Sequence, residues 1–291
     1  RAGRAELQAA FGGVLETGGE TQFSFSGDGL ELGFNGETAF AGTGFSASGT
    51  VQFDTDDVEP WLAVAGVSLP GYGLGLSVKL ASQVDIDDGL LVLSGLVGEV
   101  AGEPATGDLN VQMRDSLPHM TGGLSLRSLD LGTLAEMAVG AQAIEGDGVR
   151  WPTAPFAQGV ATPVSTDLDL TVERLRAGMF GEARNARLVL RLGREGISLS
   201  DVGASVHGGT LTGIFDFRND LGTGLLSSQL RLENADAASL LGDAGVEGAV
   251  DLTATLTGSA KSVDAVIDAI VGVEVPNLTG GYAAMMPNHH I

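Results

Sequence analysis

Two short groups of carboxylates are the first residues whose type and spacing could support chemistry. The segments 54–57 and 85–88 read Asp-Thr-Asp-Asp and Asp-Ile-Asp-Asp. Several carboxylates close together suit a hard cation such as calcium, but neither segment belongs to a twelve-residue loop that ends in a glutamate. Asp is also common in turns and at helix N-caps. We therefore expect structural roles for both segments, and we expect no metal and no cofactor.

The histidines and the absent cysteines restrict metal and thiol chemistry. His119, His207, His289 and His290 are too scattered to supply the three or four ligands of a zinc site, and the last two lie in an atypical C-terminal stretch. The chain contains no cysteine, which excludes disulfides, thiolate ligands and a thiol nucleophile.

Sequence motifs for a serine nucleophile or a phosphate loop are incomplete. Gly203-Ala-Ser205-Val lacks the second glycine of a nucleophile elbow. Gly42-Thr-Gly44 and Gly71-Tyr-Gly73 lack the lysine, or the strand-turn-helix context, that a phosphate-binding loop needs. No residue is left as a candidate for catalysis, so the expectation is a protein that is not an enzyme.

The net charge of the chain restricts the kinds of molecule that we expect it to bind. Fifteen Lys and Arg against 37 Asp and Glu give a formal charge of −22. A chain of this charge repels polyanions, so nucleic acid is not an expected partner, and the same charge disfavours adsorption to anionic bilayers through a basic patch. Contact with lipid would require a shaped apolar surface instead, and 43% hydrophobic residues provide enough material for one.

Alternation with a period of two is the commonest pattern, and it predicts strands with one apolar and one polar face. Examples are 168–172, 188–192, 197–199, 215–217 and 230–232. Gly, Asp or Asn separates these strands at short spacing, which favours an antiparallel meander.

Helical patterns are few. Leu7, Phe11, Val14 and Leu15 predict a helix near the start. Val263, Val266, Ile267 and Ile270 predict another, with Ser262 as its N-cap.

An internal repeat organises the chain. Turn glycines at 89 and 196 are followed by strand glycines after 18 and 17 residues, and then by Asp130 and Asp236 after 23 residues in both copies. A shorter version runs from 28–29 through Gly49 to Asp56, with one hairpin missing. Each unit would be a few antiparallel strands followed by a helical turn, which an aspartate caps and a Leu or Trp holds against the sheet.

These patterns predict a mainly β fold, an antiparallel meander of repeated strand units with short capping helices, forming an elongated curved sheet or groove with an apolar inner face. The predicted organisation is an N-terminal β-repeat region (1–140), a crossover loop (141–166), a C-terminal β-repeat (167–272) and a divergent or truncated tail (273–291). Trp151 and Phe156 should order the crossover loop, because large aromatic side chains favour burial.

The sequence resembles the C-terminal region of AsmA-family proteins. The motifs that carry the resemblance, in chain order, are Trp151-Pro-Thr-Ala-Pro-Phe156, the strand sequences from 167 to 199, Val206-His-Gly-Gly-Thr-Leu, and Leu230-Arg-Leu-Glu-Asn-Ala-Asp-Ala-Ala-Ser-Leu-Leu241. The segment 51–137 is similar to the preceding part of that family, so the resemblance covers roughly residues 5–272, and residues 273–291 depart from it.

The resemblance implies an envelope protein with its bulk in the periplasm, anchored to the inner membrane, that binds or moves phospholipid acyl chains in outer-membrane lipid homeostasis. No apolar run in the sequence is long enough for a membrane-spanning helix, so the anchor is expected outside this chain. Phospholipid or another acyl lipid is the expected partner.

The apolar faces of the predicted strands are the candidate lipid-binding groove. The groove candidates are Leu168, Leu170, Val172, Leu188, Leu190, Leu192, Ile197, Leu199, Leu211, Phe215, Phe217, Leu230 and Leu232. The alternative is a closed β-sandwich that acts as a structural module in outer-membrane assembly, since two sheets that bury each other give the same pattern. An adhesin-like β-solenoid would need a regular repeat of about 20–30 residues, which the sequence lacks.

Overall fold

A computed structural model describes residues 5–14, 16–27, 29–42, 44–64, 75–115, 117–145, 150–158, 164–178, 181–194, 196–241, 248–268 and 271–279. Strands make up 72% of the described residues, and the predicted antiparallel meander with short helices is confirmed. The histidines at 289 and 290, Leu15, the 71–73 motif and the end of the predicted tail lie outside the described residues.

Fifteen strands are found among the described residues. They are β1 (Ala5–Val14), β2 (Gly18–Gly27), β3 (Leu30–Ala41), β4 (Gly44–Thr55), β5 (Val78–Asp87), β6 (Leu90–Val100), β7 (Glu103–Arg114), β8 (Leu117–Asp130), β9 (Ser165–Arg176), β10 (Glu182–Gly193), β11 (Gly196–Val206), β12 (Gly209–Asp220), β13 (Thr223–Asp236), β14 (Ala249–Ala260) and β15 (Val271–Thr279). The described helices are α1 (Glu59–Val64), α2 (Leu131–Val139), α3 (Ala141–Ile144), α4 (Ala237–Leu241) and α5 (Val263–Asp268).

The chain divides into two compact units. Unit 1 comprises Arg1–Leu129, Val160–Val172 and Leu190–Glu195, and unit 2 comprises Asp130–Gly159, Glu173–Val189 and Gly196–Ile291. Unit 1 therefore contains β1 to β8, and unit 2 contains β11 to β15, while β9 and β10 contribute residues to both. In each unit neighbouring strands of the sequence pair in antiparallel register.

Two-residue turns connect many of these strands. Asp88–Gly89, Ala101–Gly102, His207–Gly208 and Leu221–Gly222 all have positive φ at both positions. That conformation matches the twist of the flanking strands, and glycine adopts it without steric cost. The Asp88–Gly89 turn was visible in the sequence, and its aspartate has the structural role expected for the 85–88 segment.

Bulges inside the strands keep the apolar side chains before and after them on the same face of the sheet. Gly95 in β6 and Asn234 in β13 have positive φ at sites where the register shifts against the next strand. The backbone N–H of Gly95 donates to Asp108 Oδ1 and that of Asn234 donates to Asp251 Oδ1, both at 2.8 Å. A bulge inserts one residue and so changes which sequence positions face the core.

The predicted caps and their helices are present. Asp130 Oδ1 accepts a hydrogen bond from the Gly132 N–H at 2.7 Å, and Asp236 Oδ2 accepts one from the Ser239 N–H at 3.1 Å. Ser262 Oγ accepts from the Ala265 N–H at 3.3 Å at the start of α5. These contacts satisfy backbone donors that the first turn of a helix leaves unpaired.

The shorter version of the repeat differs from its prediction in two details. Asp57, not Asp56, provides the cap, because its Oδ1 accepts from the Glu59 N–H at 3.0 Å. Counted from the turn that opens each unit of the repeat, two strands lead to α1, whereas three lead to α2 and three lead to α4. One strand is therefore missing from the shorter version, and not a hairpin. Trp61 of α1 contacts Phe25 edge-on, with ring centroids 6.0 Å apart.

The helix predicted from Leu7, Phe11 and Val14 is wrong, because these residues form β1. Leu7 and Phe11 also fit a period of two, because both occupy odd-numbered positions. Leu7 lies between Glu6 and Gln8, and Phe11 lies between Ala10 and Gly12. Pairing with β2 along the full length of β1 outweighs the weak helical pattern.

Candidate binding face

In unit 1 the strand register aligns apolar side chains into rows that run across eight strands. Directly opposed residues of antiparallel strands project from the same face, so the pairing defines each row. The first row is Leu7, Phe25, Leu32, Phe53, Leu80, Gly98, Ala105 and Leu126. A second row is Phe11, Thr21, Gly36, Gly49, Val84, Leu93, Leu109 and Gly122. Between them lie Ala9, Phe23, Phe34, Val51 and Ser82.

We call this surface the unit 1 apolar face. Most of its large side chains are half-buried, including Phe23, Phe25, Phe34, Phe53 and Leu80. Leu7 at one end of the first row is 65% exposed. Large apolar side chains in a sealed core are almost fully buried, so this face retains contact with solvent.

The opposite face of unit 1 is polar and acidic. One row across it contains Glu6, Glu31, Asp54, Lys79 and Glu99. Lys79 Nζ lies 2.7 Å from Asp54 Oδ2, and the hydrogen bond and charge of Asp54, assisted by Glu99 and Glu31, raise the pKa of Lys79. The two faces therefore differ strongly in polarity, as alternation predicts.

Unit 2 contains a second apolar face, formed by β11 to β14. Its rows are Ile197, Phe217, Leu226 and Gly258; Leu199, Phe215, Ser228 and Leu256; Val202, Gly213, Leu230 and Ala254; and Ala204, Leu211, Leu232 and Leu252. We call it the unit 2 apolar face. Seven of the groove candidates lie on this single surface, so the register brings them together.

A loop covers one end of the unit 2 apolar face, and a helix follows strand β13 at the other end. At the end where β12 turns into β13, Phe156 packs edge-on against Phe217, with centroids 5.6 Å apart. Phe156 is 4% exposed, which confirms its predicted burial, while Trp151 is half-buried. At the opposite end α4 follows β13 and contacts it.

Asn219 fixes the loop over the Phe217 end. Its Nδ2 donates to the carbonyl oxygens of Ala138 and Ala157 at 2.9 and 3.0 Å, and its Oδ1 accepts from the Gly222 N–H at 2.9 Å. In the two middle rows Phe215 and Leu230 are half-buried, and so is Leu211 in the last row.

The six candidates on β9 and β10 are all buried, whereas four of the five on β12 and β13 are half-buried. Leu168, Leu170, Leu188, Leu190 and Leu192 are buried, and Val172 is 0% exposed. Such burial is typical of a closed core and gives a ligand no surface in this conformation. Ile197, Leu199 and Leu232 are also buried.

Sequence reasoning missed the unit 1 apolar face. The alternation Phe23-Ser-Phe25, Leu30-Glu-Leu32-Gly-Phe34 and Val51-Gln-Phe53 carries the same signal as the C-terminal strands. The alternation signal is weaker in these strands because glycine replaces an apolar residue at Gly36, Gly49 and Gly98. These glycines nevertheless lie within the rows.

One serine lies within hydrogen-bonding distance of a histidine. His119 Nδ1 is 2.9 Å from Ser165 Oγ, and His119 Nε2 is 3.4 Å from an Arg114 guanidinium nitrogen. A guanidinium only donates, so Nε2 must be the acceptor and the proton must lie on Nδ1. In this tautomer His119 Nδ1 donates to Ser165 Oγ.

A polar depression of about 510 Å³ lies at the end of unit 1 near the β1–β2 turn, and its lining includes Glu37, Ser48, Asp85 and Asp87. Among the described residues, no group of three or more His, Asp or Glu side chains is arranged to hold a metal ion. The structure likewise describes no helix that is long and apolar enough to cross a membrane.

Comparison with known proteins adds no family. No protein-family model matches this chain, and neither a curated protein sequence nor a solved structure matches it. The fold and the two faces thus define a class, a mainly β antiparallel meander with amphipathic strands, and function must be argued from the faces themselves.

Proposed function

We propose that this chain is a non-enzymatic envelope protein that binds the acyl chains of phospholipid or another acyl lipid along its apolar faces, as the AsmA-family resemblance implies. The observation that carries the proposal is that most large side chains of the unit 1 apolar face are only half-buried. Its phenylalanines and leucines lie in register across eight strands, and none of those in the rows is fully buried.

Hydrophobic burial is the physical basis of binding. Each methylene that leaves water contributes about 0.8 kcal/mol, so a chain that covers several half-exposed side chains gains several kcal/mol without a specific polar contact. The acidic outer face and the net charge of −22 repel anionic head groups. Binding should therefore depend on the acyl chain more than on the head group.

The location in the periplasm, the inner-membrane anchor outside this chain and the role in outer-membrane lipid homeostasis belong to the same proposal. They rest on the resemblance. The amphipathic strands support the proposed location and role only by providing a surface to which lipid can bind.

The deciding experiment titrates delipidated protein with a fluorescent long-chain fatty acid. Phe34→Asp places a charge in the middle of the unit 1 apolar face, and Asn35→Asp places the same charge on the polar face of the same strand. We expect Phe34→Asp to weaken binding at least tenfold and Asn35→Asp to leave it unchanged. Circular dichroism verifies that both variants are folded.

Absence of probe binding to the wild-type protein, or equal affinities for the two variants, would contradict the proposal. Mass spectrometry of gently purified protein gives a second test, because co-purifying phospholipid is expected. Leu190→Asp is a poor choice here, since a charge at a buried position destabilises the fold whatever the function is.

The second candidate function is a structural module in outer-membrane assembly. The deep burial of Leu168, Val172 and Leu188 favours it, because sealed strands act as a core and not as a binding surface. This candidate predicts that no lipid co-purifies and that the acyl probe does not bind.

A further inference from the structure

The unit 1 apolar face extends to the end of the sheet that carries the β3–β4, β5–β6 and β7–β8 turns. One row close to these turns is Gly13, Gly19, Thr38, Ala47, Ile86, Leu91, Val111 and Met120. Phe40 opposite Phe45, and Met113 opposite Pro118, lie two residues beyond that row and therefore on the same face. We call Phe40, Phe45, Leu90, Met113 and the turns that they flank the turn edge of unit 1.

Large apolar side chains at the turn edge are exposed. Their exposed fractions are 48% for Phe40, 39% for Phe45, 40% for Leu90 and 66% for Met113. The rings of Phe40 and Phe45 contact each other, with centroids 5.0 Å apart. At the opposite end of β3 and β5, Leu30 and Val78 of the same face are buried. Within β3 to β7 the apolar face is therefore more exposed at the turn edge than at its other end, and exposed apolar surface of this kind marks an interaction site.

Charged groups of both signs accompany these apolar side chains. Nη1 of Arg114 lies 3.4 Å from His119 Nε2. Arg194 Nη2 donates to the carbonyl oxygen of Asp115 at 3.3 Å, which places a second guanidinium at the β7–β8 turn. Among the described residues neither arginine has an ion-pair partner, so both can bind a phosphate. Asp88 and Asp115 are exposed at neighbouring turns of the same edge.

We propose that the turn edge of unit 1 docks on the surface of a zwitterionic phospholipid bilayer. Phe40, Phe45 and Met113 enter the acyl region, where their apolar surface leaves water. The two arginines contact lipid phosphates and the two aspartates contact ammonium groups, so the charges of the edge complement a zwitterionic head group. The choice of a lipid partner rests on the proposed function, and the docked edge gives acyl chains direct access to the unit 1 apolar face.

The experiment measures flotation of the whole chain with vesicles of dioleoylphosphatidylcholine. Wild-type protein should float with the vesicles. Phe40→Ser and Met113→Ser should each weaken binding about fivefold, because each removes exposed apolar surface that leaves water on docking. The double variant Arg114→Gln/Arg194→Gln should weaken binding about threefold, since two charge-assisted contacts with phosphate are lost at an exposed site.

Val97→Ser is the matched control. Val97 of β6 is 60% exposed, but it lies opposite Ala81 on the polar face of unit 1. The substitution removes an exposed apolar side chain away from the turn edge, so this variant should float as the wild-type protein does. Circular dichroism verifies that all variants are folded.

Vesicles of different charge test the head-group assignment. Vesicles in which phosphatidylglycerol replaces about a third of the lipid should bind more weakly, because a protein with an excess of carboxylates is repelled by an anionic surface. The net charge of −22 gives the direction of this effect.

The acyl-probe titration without vesicles separates this inference from the proposed function. Phe34→Asp should lose probe binding and keep vesicle binding, because six residues of extended strand, about 20 Å, separate Phe34 from Phe40. Phe40→Ser should show the reverse, with weaker vesicle binding and unchanged probe affinity.

Wild-type protein that binds the probe but does not float with phosphatidylcholine vesicles overturns the inference and leaves the proposed function intact. Equal losses for Phe40→Ser and Val97→Ser, or tighter binding to the phosphatidylglycerol vesicles, also overturn it. Wild-type protein that floats but binds no probe contradicts the proposed function and supports docking at the turn edge.

Discussion

At the scale of single residues, carboxylates in this chain act on the backbone. Asp57, Asp130 and Asp236 cap helices, and Asp108 and Asp251 bind the N–H groups of bulge residues. Hydrogen bonds from Ser239 lower the pKa of Asp236. The acidic composition is therefore partly structural, since a carboxylate is a strong acceptor for backbone donors.

Glu136 in α2 makes stability depend on pH. Burial raises the pKa of Glu136 above its ordinary value of 4.5, and the nearby carboxylate of Asp130 adds to the shift. The folded protein therefore holds this proton more tightly than the unfolded chain does, and the resulting stabilisation is present at pH below 4.5 and lost as the pH rises through the raised pKa.

We expect Glu136→Gln to match the wild-type melting temperature near pH 4 and to exceed it near pH 7, because glutamine carries no charge to desolvate. Calorimetric melting curves of both proteins across this range provide the measurement. A variant that melts below the wild-type protein at pH 7 would show that the ionised carboxylate is stabilising instead.

At the scale of elements, facing glycines let neighbouring strands approach closely. Gly36 and Gly49 oppose each other in β3 and β4. A Cβ atom on Gly49 would lie 2.6 Å from the Gly36 Cα and would also clash with the carbonyl oxygen of Asn35. Such contacts involve backbone, so a side chain at Gly49 must displace the strand.

Gly49→Ala should therefore destabilise unit 1 by about 2 kcal/mol, as overpacking in a close-packed site does. Gly33→Ala in β3 is the matched control, because its Cβ would be 3.9 Å from the nearest atom, in Gln52. Urea unfolding followed by Trp61 fluorescence in a Trp151→Phe background measures the effect. Equal midpoints for the two alanine variants would refute the argument.

The elements also show what the sequence could and could not predict. Alternation identified the strands around 168–172 and 188–192, and Asp130, Asp236 and Ser262 were identified as caps, because both signals are local. The bulges at Gly95 and Asn234 were not predicted, since they depend on pairing with a neighbouring strand. Likewise, β1 was mistaken for a helix because its pairing partner decides its conformation.

The candidate site was predicted only in part for the same reason. The alternating residues of β11 to β13 do share one face, as expected. Periodicity could not show that Leu168 and Val172 are buried while Phe23 and Phe34 are only half-buried, because burial depends on what covers each strand. The unit 1 apolar face therefore emerged only from the three-dimensional structure.

At the scale of the whole molecule, charge repulsion opposes folding. Acidic residues exceed basic ones by 37 to 15, and the ion pairs between described side chains, such as Lys79–Asp54, Arg191–Asp167 and Arg231–Glu233, are exposed. Exposed pairs contribute little, so they do not offset a net charge of −22.

Sodium chloride should therefore raise the melting temperature by a few degrees between low and physiological ionic strength, because it screens repulsion among the carboxylates. Thermal melts in sodium chloride and in potassium chloride at equal ionic strength should agree, since screening does not depend on the identity of the cation. A melting temperature that falls with salt would indicate that attractive pairs dominate instead.

The pairing of each strand with its sequence neighbours has a mechanical consequence. When the two ends of such a hairpin series are pulled apart, the load falls on one pair of hydrogen bonds at a time and not on a whole strand at once. Each unit should therefore yield by peeling, strand after strand from its outermost hairpin, at low force and in small, evenly sized steps.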